Sequence, residues 1–137
     1  MTRAVLDANV FVAAAINPGG TPAGCLLAFA DGRYDLVVSP RLLGELRAVL
    51  HREKFRAFLT LDQADRLIEA LARDAIAIAD PADPAAVSRD SGDDYLLALA
   101  NAAEAPVLVT GDLDLLELEV PGVKIVTPRA FLELLPR

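Results

Sequence analysis

At 137 residues the chain has the length of one domain with a real core, and with 54% hydrophobic and 24% charged residues it is neither disordered nor low in complexity. No apolar run approaches the ~20 residues that a bilayer crossing needs, and an acid already at position 7 leaves no room for a secretory leader. A net charge of −7 weighs against a basic nucleic-acid face, and the single cysteine, Cys25, excludes an internal disulfide. A cytoplasmic protein with no membrane partner is the expectation.

The apolar residues then alternate between short β-branched runs and longer helical stripes. Residues 4–6 read as a buried strand, followed by a loop through Pro18-Gly19-Gly20. Thr21-Pro22 opens a helix, 35–38 form a second strand, and Ser39-Pro40 opens a helix running to about His51. Thr60 with Gln63 has capping-box spacing at the head of the next helix. A weaker strand is predicted over 75–79, a polar loop over 80–92, and a helix over 95–103. Strands over 107–109 and 123–126 follow, and Thr127-Pro128 opens a last helix. Three helices thus share one predicted device, a hydroxyl N-cap followed by proline at the first helical position. Nearly continuous apolar strands between helices predict a parallel sheet covered on both faces, in one domain spanning 1–137.

Ligands in such sheets bind beyond the carboxyl ends of the strands, where the strand order reverses. Asp7 directly follows the first strand and Asp112 follows the 107–109 strand by three residues, so both enter one crevice if those strands are neighbours. On the helix after Pro40, Glu45 lies about 100° from the centre of the stripe made by Leu42, Leu43, Leu46, Val49 and Leu50. It can lean over the sheet end or pair with Arg41. Asp93 projects within about 20° of the centre of the Leu96, Leu97, Ala100, Ala103 stripe, whereas Asp94 falls well off it, as a supporting or exposed neighbour.

Four converging carboxylates require protonation or a divalent cation. Oxygen donors without histidine or thiolate suit Mg²⁺ or Mn²⁺, which polarise a phosphodiester and activate water. Asp114 is a further candidate ligand, and Asn9 and Thr110 are supporting polar groups. Basic residues concentrate between Arg41 and Arg56, where Arg47, Arg52, Lys54 and Arg56 offer contacts to nucleic-acid phosphates or merely a solvated face. His51 and Cys25 are read as structural.

Val5-Leu6-Asp7-Ala-Asn9-Val10, Ser39-Pro40 with Glu45, Asp93-Asp94 before Leu96-Leu97, and Leu108-Val109-Thr110-Gly111-Asp112-Leu-Asp114 together resemble the PIN domain, more narrowly the toxin branch of toxin–antitoxin pairs (VapC-like). That resemblance implies a three-layer α/β/α sandwich with a five-stranded parallel sheet. It also implies a Mg²⁺- or Mn²⁺-dependent endoribonuclease, commonly a homodimer held by a cognate antitoxin, with its acids at Asp7, Glu45, Asp93 and Asp112. Asp90-Ser91-Gly92-Asp93 stands where the family more often has Asp-Pro-Asp-Asp.

Competing readings change the chemistry. A dehalogenase-like phosphatase wants a second acid where Asn9 stands, and a receiver domain wants a lysine beyond the last strand, whereas Lys124 lies within it. A non-catalytic PIN-like module binding RNA or an antitoxin is the remaining alternative.

Overall fold

The computed structural model describes residues 1–81 and 91–136, with the backbone alone for 91–93. Five strands, β1 (Arg3–Leu6), β2 (Asp35–Val38), β3 (Ile76–Ala77), β4 (Val107–Val109) and β5 (Lys124–Val126), form one sheet in the order β3-β2-β1-β4-β5. Every pairing is parallel. The chain lays β2 and β3 to one side of β1 and then returns to lay β4 and β5 on the other. The order therefore reverses between β1 and β4, the two strands that carry Asp7 and Asp112 beyond their ends.

Helices α1 (Ala8–Ile16), α2 (Thr21–Ala30), α3 (Pro40–Leu50), α4 (Leu61–Asp74), α5 (Ser91–Ala102), α6 (Leu113–Leu116) and α7 (Pro128–Leu134) cover both faces. Side chains alternate across each strand, so Ala4 and Leu6 of β1 enter one core and Val5 the other. The first core joins Leu36, Val38, Val107 and Val109 to Phe11, Cys25, Leu46, Leu71 and Phe131 from α1, α2, α3, α4 and α7. The second joins Val37 and Leu108 to Tyr95, Leu99, Ala100 and Leu115 from α5 and α6. The result is the expected α/β/α sandwich with a five-stranded parallel sheet.

Several local expectations are corrected. The segment after Asp7 is the helix α1, not a loop running to Gly20. Val10, Phe11, Val12 and Ala14 are all buried there, so the helix is apolar nearly all round and shows no stripe of period 3.6. The hydroxyl-then-proline device holds for Ser39 and Thr127, whose side chains accept from Leu42 N and Ala130 N. It fails at α2, where Gly20 is the N-cap and Thr21 is already helical. A Cβ on Gly20 would come within 2.9 Å of the Asn17 amide nitrogen, a contact that the flexible Asn17 side chain can relieve by moving.

The capping box forms as predicted, Thr60 Oγ1 accepting from Gln63 N while Thr60 N donates to Gln63 Oε1. The third strand shrinks to Ile76–Ala77 at the sheet edge. The predicted loop over 80–92 lies largely outside the described residues. A single-turn helix, α6, follows Asp112. Among the described residues no single helix is long and apolar enough to cross a membrane.

Candidate active site

The register sets the site. Leu6 pairs with Val109, and Asp7 N donates to Val109 O at 2.9 Å, which carries the ladder one residue past β1. Thr110 N donates to Val126 O at 2.9 Å and does the same past β4. Asp7 and Thr110 thus stand side by side at the carboxyl end of the sheet.

Asp7 is also the N-cap of α1, its Oδ1 accepting from Asn9 N at 3.1 Å. Its Oδ2 accepts from Thr110 Oγ1 at 2.9 Å, and the residue is only 8% exposed. Thr110 Oγ1 in turn accepts from Asp112 N at 3.0 Å. A hydroxyl has one proton, and here the Asp112 N–H supplies the other bond, so the Thr110 proton is directed at Asp7. That geometry leaves Asp7 lone pairs over for a cation. Asp112 is half-buried and N-caps α6, its Oδ1 accepting from Asp114 N at 2.9 Å.

Asp7, Asn9, Glu45, Arg52 and Asp112 line one cleft of about 400 Å³, walled by Leu42, Ala48, Val49 and Leu96. Glu45 reaches it from an exposed position on α3 while its Oε1 accepts from Arg41 Nε at 3.0 Å. Both sequence readings of Glu45, cleft wall and partner of Arg41, are therefore realised together. The exposed Asp114 gives its backbone N–H to Asp112 and is not among the residues lining the cleft. The Asp93 side chain lies outside the described residues, although its backbone opens α5. Asp94 is buried at 6%, so of the two expectations for it the exposed one is wrong. The stripe predicts which side of α5 faces the sheet, but the first turn of a helix is also covered by neighbouring segments.

The oxygen donors at this cleft suit a hard divalent cation by type. Among the described residues no three ligating side chains stand together as a metal site. Asp7 and Asp112 need a further donor, and Glu45 is held by Arg41.

The basic residues divide sharply. Arg47 pairs with Asp65 at 3.4 Å, and His51 Nε2 lies 2.6 Å from the same carboxylate, a link between α3 and α4. Arg56 turns back onto the end of α3, its Nη2 donating to Leu50 O and to Arg52 O. Lys54 lies 5.2 Å from the centre of the Phe55 ring. Arg52 alone of the four lines the cleft. His51 and Cys25 are structural, as read from the sequence. Cys25 is buried, and burial pushes its thiol up to about 11.

Sequence reasoning missed a polar network beside the site. Ser39 Oγ hydrogen-bonds Tyr95 OH, and Tyr95 OH donates to Asp80 Oδ1 at 2.7 Å. The single Tyr95 proton goes to Asp80, so Ser39 supplies the proton between the two hydroxyls. Asp80 also accepts from Arg41 N at 3.1 Å, and the Arg41 guanidinium stacks 4.1 Å from the centre of the Tyr95 ring. Burial pushes the Tyr95 phenol up to about 12. The only sequence signal was the N-cap role of Ser39, because its partner lies 56 residues away.

A second cavity, of about 410 Å³, opens near the start of β2 between α2 and α4. Its walls are mainly apolar, from Leu26, Phe29, Tyr34, Leu67 and Leu71. It lies away from the carboxyl ends of the strands, where the acids gather.

Known proteins place this arrangement. The chain is 28% identical over 140 residues to the uncharacterized protein MJ1680 of Methanocaldococcus jannaschii, covering 96% of this chain and 90% of that one. Its fold is similar to the crystal structure of VapBC2 from Rickettsia felis bound to a DNA fragment from their promoter. The TM-score is 0.62 at 15% identity, over 92% of this chain and 98% of that one. It is similar also to PAE2754 from Pyrobaculum aerophilum, with a TM-score of 0.61 at 21% identity, over 96% and 88% of the two chains. The family model of the PIN domain matches residues 3–114, from the first residue of β1 to the first turn of α6, and the chain belongs to the PIN domain family.

Proposed function

We propose that this chain is a Mg²⁺- or Mn²⁺-dependent endoribonuclease acting in the cytoplasm, and the toxin of a toxin–antitoxin pair. PIN domains are usually nucleases that use divalent ions, so family membership supports hydrolase chemistry in general. The observation that carries the reading is the meeting of Asp7 and Asp112 at the ends of the adjacent strands β1 and β4, in one cleft with Glu45. Asp7 and Asp112 would hold the ion, with Asp93 and Glu45 as the acids that complete the set and Asp114 as a helper. When bound, such an ion polarises a phosphodiester and lowers the pKa of an attacking water. The chain's own part is to hold Asp7 fixed, through Thr110 and the α1 N-terminus, beside the apolar wall of Leu42, Val49 and Leu96. A homodimer and a cognate antitoxin are the proposed partners, and the likeness of fold to VapBC2 supports the antitoxin.

The test is cleavage of single-stranded RNA by purified, antitoxin-free protein. Activity is expected with Mg²⁺ or Mn²⁺, and is expected to vanish with EDTA, Asp7→Asn or Asp93→Asn. One observation favours a second reading, a PIN-like module that binds RNA without cutting it: the Arg41–Glu45 pair ties up one of the four acids. RNA bound tightly but left intact under every divalent ion tried would select that reading.

A further inference from the structure

The four basic residues between Arg47 and Arg56 are not equivalent, and their contacts single out one of them. Arg47 is neutralised by Asp65, and Arg56 folds back onto the carbonyls of Leu50 and Arg52 through Nη2, with its Nε and Nη1 buried and so turned away from solvent. Lys54 lies over Phe55 and outside the cleft lining. Arg52 is exposed, lines the cleft, and is in no ion pair among the described residues. Leu42, Glu45, Ala48, Val49 and Arg52 follow one another along a single strip of α3 and its continuation. Arg52 N donates to Val49 O at 3.1 Å, which prolongs the helical turn and keeps Arg52 on that strip.

The strip therefore runs from acid, across small and apolar side chains, to cation. Two turns separate Glu45 from Arg52, on the order of 10 Å along the axis. That is too far for both to act on one phosphate, and it leaves Ala48 and Val49 as a floor between them. Among the described residues no aromatic side chain lines the cleft, so none of them offers a base a stacking platform there. An arginine at the rim of an acidic cleft, in no ion pair among the described residues, would also gain most from an anionic ligand.

We propose that Arg52 is a positioning residue that binds a phosphate of single-stranded RNA flanking the one at the carboxylates. The inference rests on the nuclease reading for its choice of RNA, but its test does not depend on cleavage. A labelled single-stranded RNA is titrated at several salt concentrations with protein carrying Asp7→Asn, so that cutting does not intervene. Adding Arg52→Ala is expected to weaken binding about tenfold and to flatten the log–log salt dependence by roughly 0.7, one single-strand phosphate contact. Arg52→Lys should keep the salt slope and part of the affinity, because the charge is retained without the fork. Arg66→Ala removes the same charge from an exposed pair with Asp62 on α4 and should leave the slope unchanged.

An unchanged slope with Arg52→Ala, an equal loss with Arg66→Ala, or no RNA binding by the Asp7→Asn parent would each overturn the proposal. The unsubstituted protein is assayed for cleavage beside it. Binding that depends on Arg52 without any cleavage would sink the nuclease reading and leave Arg52 standing. Cleavage that ignores Arg52, with an unchanged slope, would do the reverse.

Discussion

The Thr110 hydroxyl donates to Asp7 Oδ2 at 2.9 Å while accepting the Asp112 N–H at 3.0 Å, so one fully buried side chain ties together the two acids at the switch point. Thr110→Val keeps the shape and deletes both bonds. It leaves the Asp112 N–H without its acceptor, at a cost of about 1–3 kcal/mol in urea unfolding. Mn²⁺ affinity should fall as well, because Asp7 loses the donor that orients it. Thr110→Ser should restore most of both, and a serine variant as impaired as valine would show that the methyl group matters and the hydroxyl does not.

Asp7 carries two roles that separate by substitution. Asparagine caps a helix about as well as aspartate, whereas alanine gives up about 1 kcal/mol. Asp7→Asn is therefore expected to unfold close to the parent midpoint and Asp7→Ala clearly below it, while both lose metal binding. Equal stability of the two variants in thermal melts would contradict the cap seen at α1.

Tyr95→Phe removes the middle of the Ser39–Tyr95–Asp80 chain and leaves the buried Ser39 proton without its acceptor. A loss of about 1–2 kcal/mol is expected by chemical denaturation. Because burial holds the phenol at about 12, no Tyr95 titration step should appear in ultraviolet absorbance below pH 10.

Asp65 supplies the acid limb of a pH profile. The hydrogen bond from His51 holds its carboxyl below the usual range, against some desolvation and with help from the charges of His51 and Arg47. A carboxyl with a lowered folded-state pKa stabilises the fold fully above its unfolded value, near pH 4, and loses that contribution as pH falls through the folded value. Asp65→Asn should therefore flatten the loss of stability below about pH 4. A variant with the parent's acid slope would show that this exposed cluster contributes nothing measurable.

What was legible in the sequence was whatever a local pattern encodes. Apolar β-branched runs placed all five strands, and Thr60 with Gln63, Ser39 and Thr127 marked helix starts correctly. Helix α1 was illegible because a helix buried on nearly every side has no polar face to give it a period. The Gly20 cap was hidden because the turn from α1 into α2 is set by packing, which a local pattern does not record. The burial of Asp94 was missed for the same reason: the pattern of one helix cannot say what lies against its first turn.

The four acids of the opening expectation show where that boundary falls. Their identity, order and place beyond strand ends or on helices came from the sequence alone, since charge and strand polarity are local properties. That β1 and β4 are neighbours, that Thr110 joins Asp7 to Asp112, and that Glu45 reaches the cleft while tied to Arg41 were decided only by tertiary structure. Strand order and side-chain pairing across about a hundred residues depend on which buried surfaces fit together, and no local pattern records that fit.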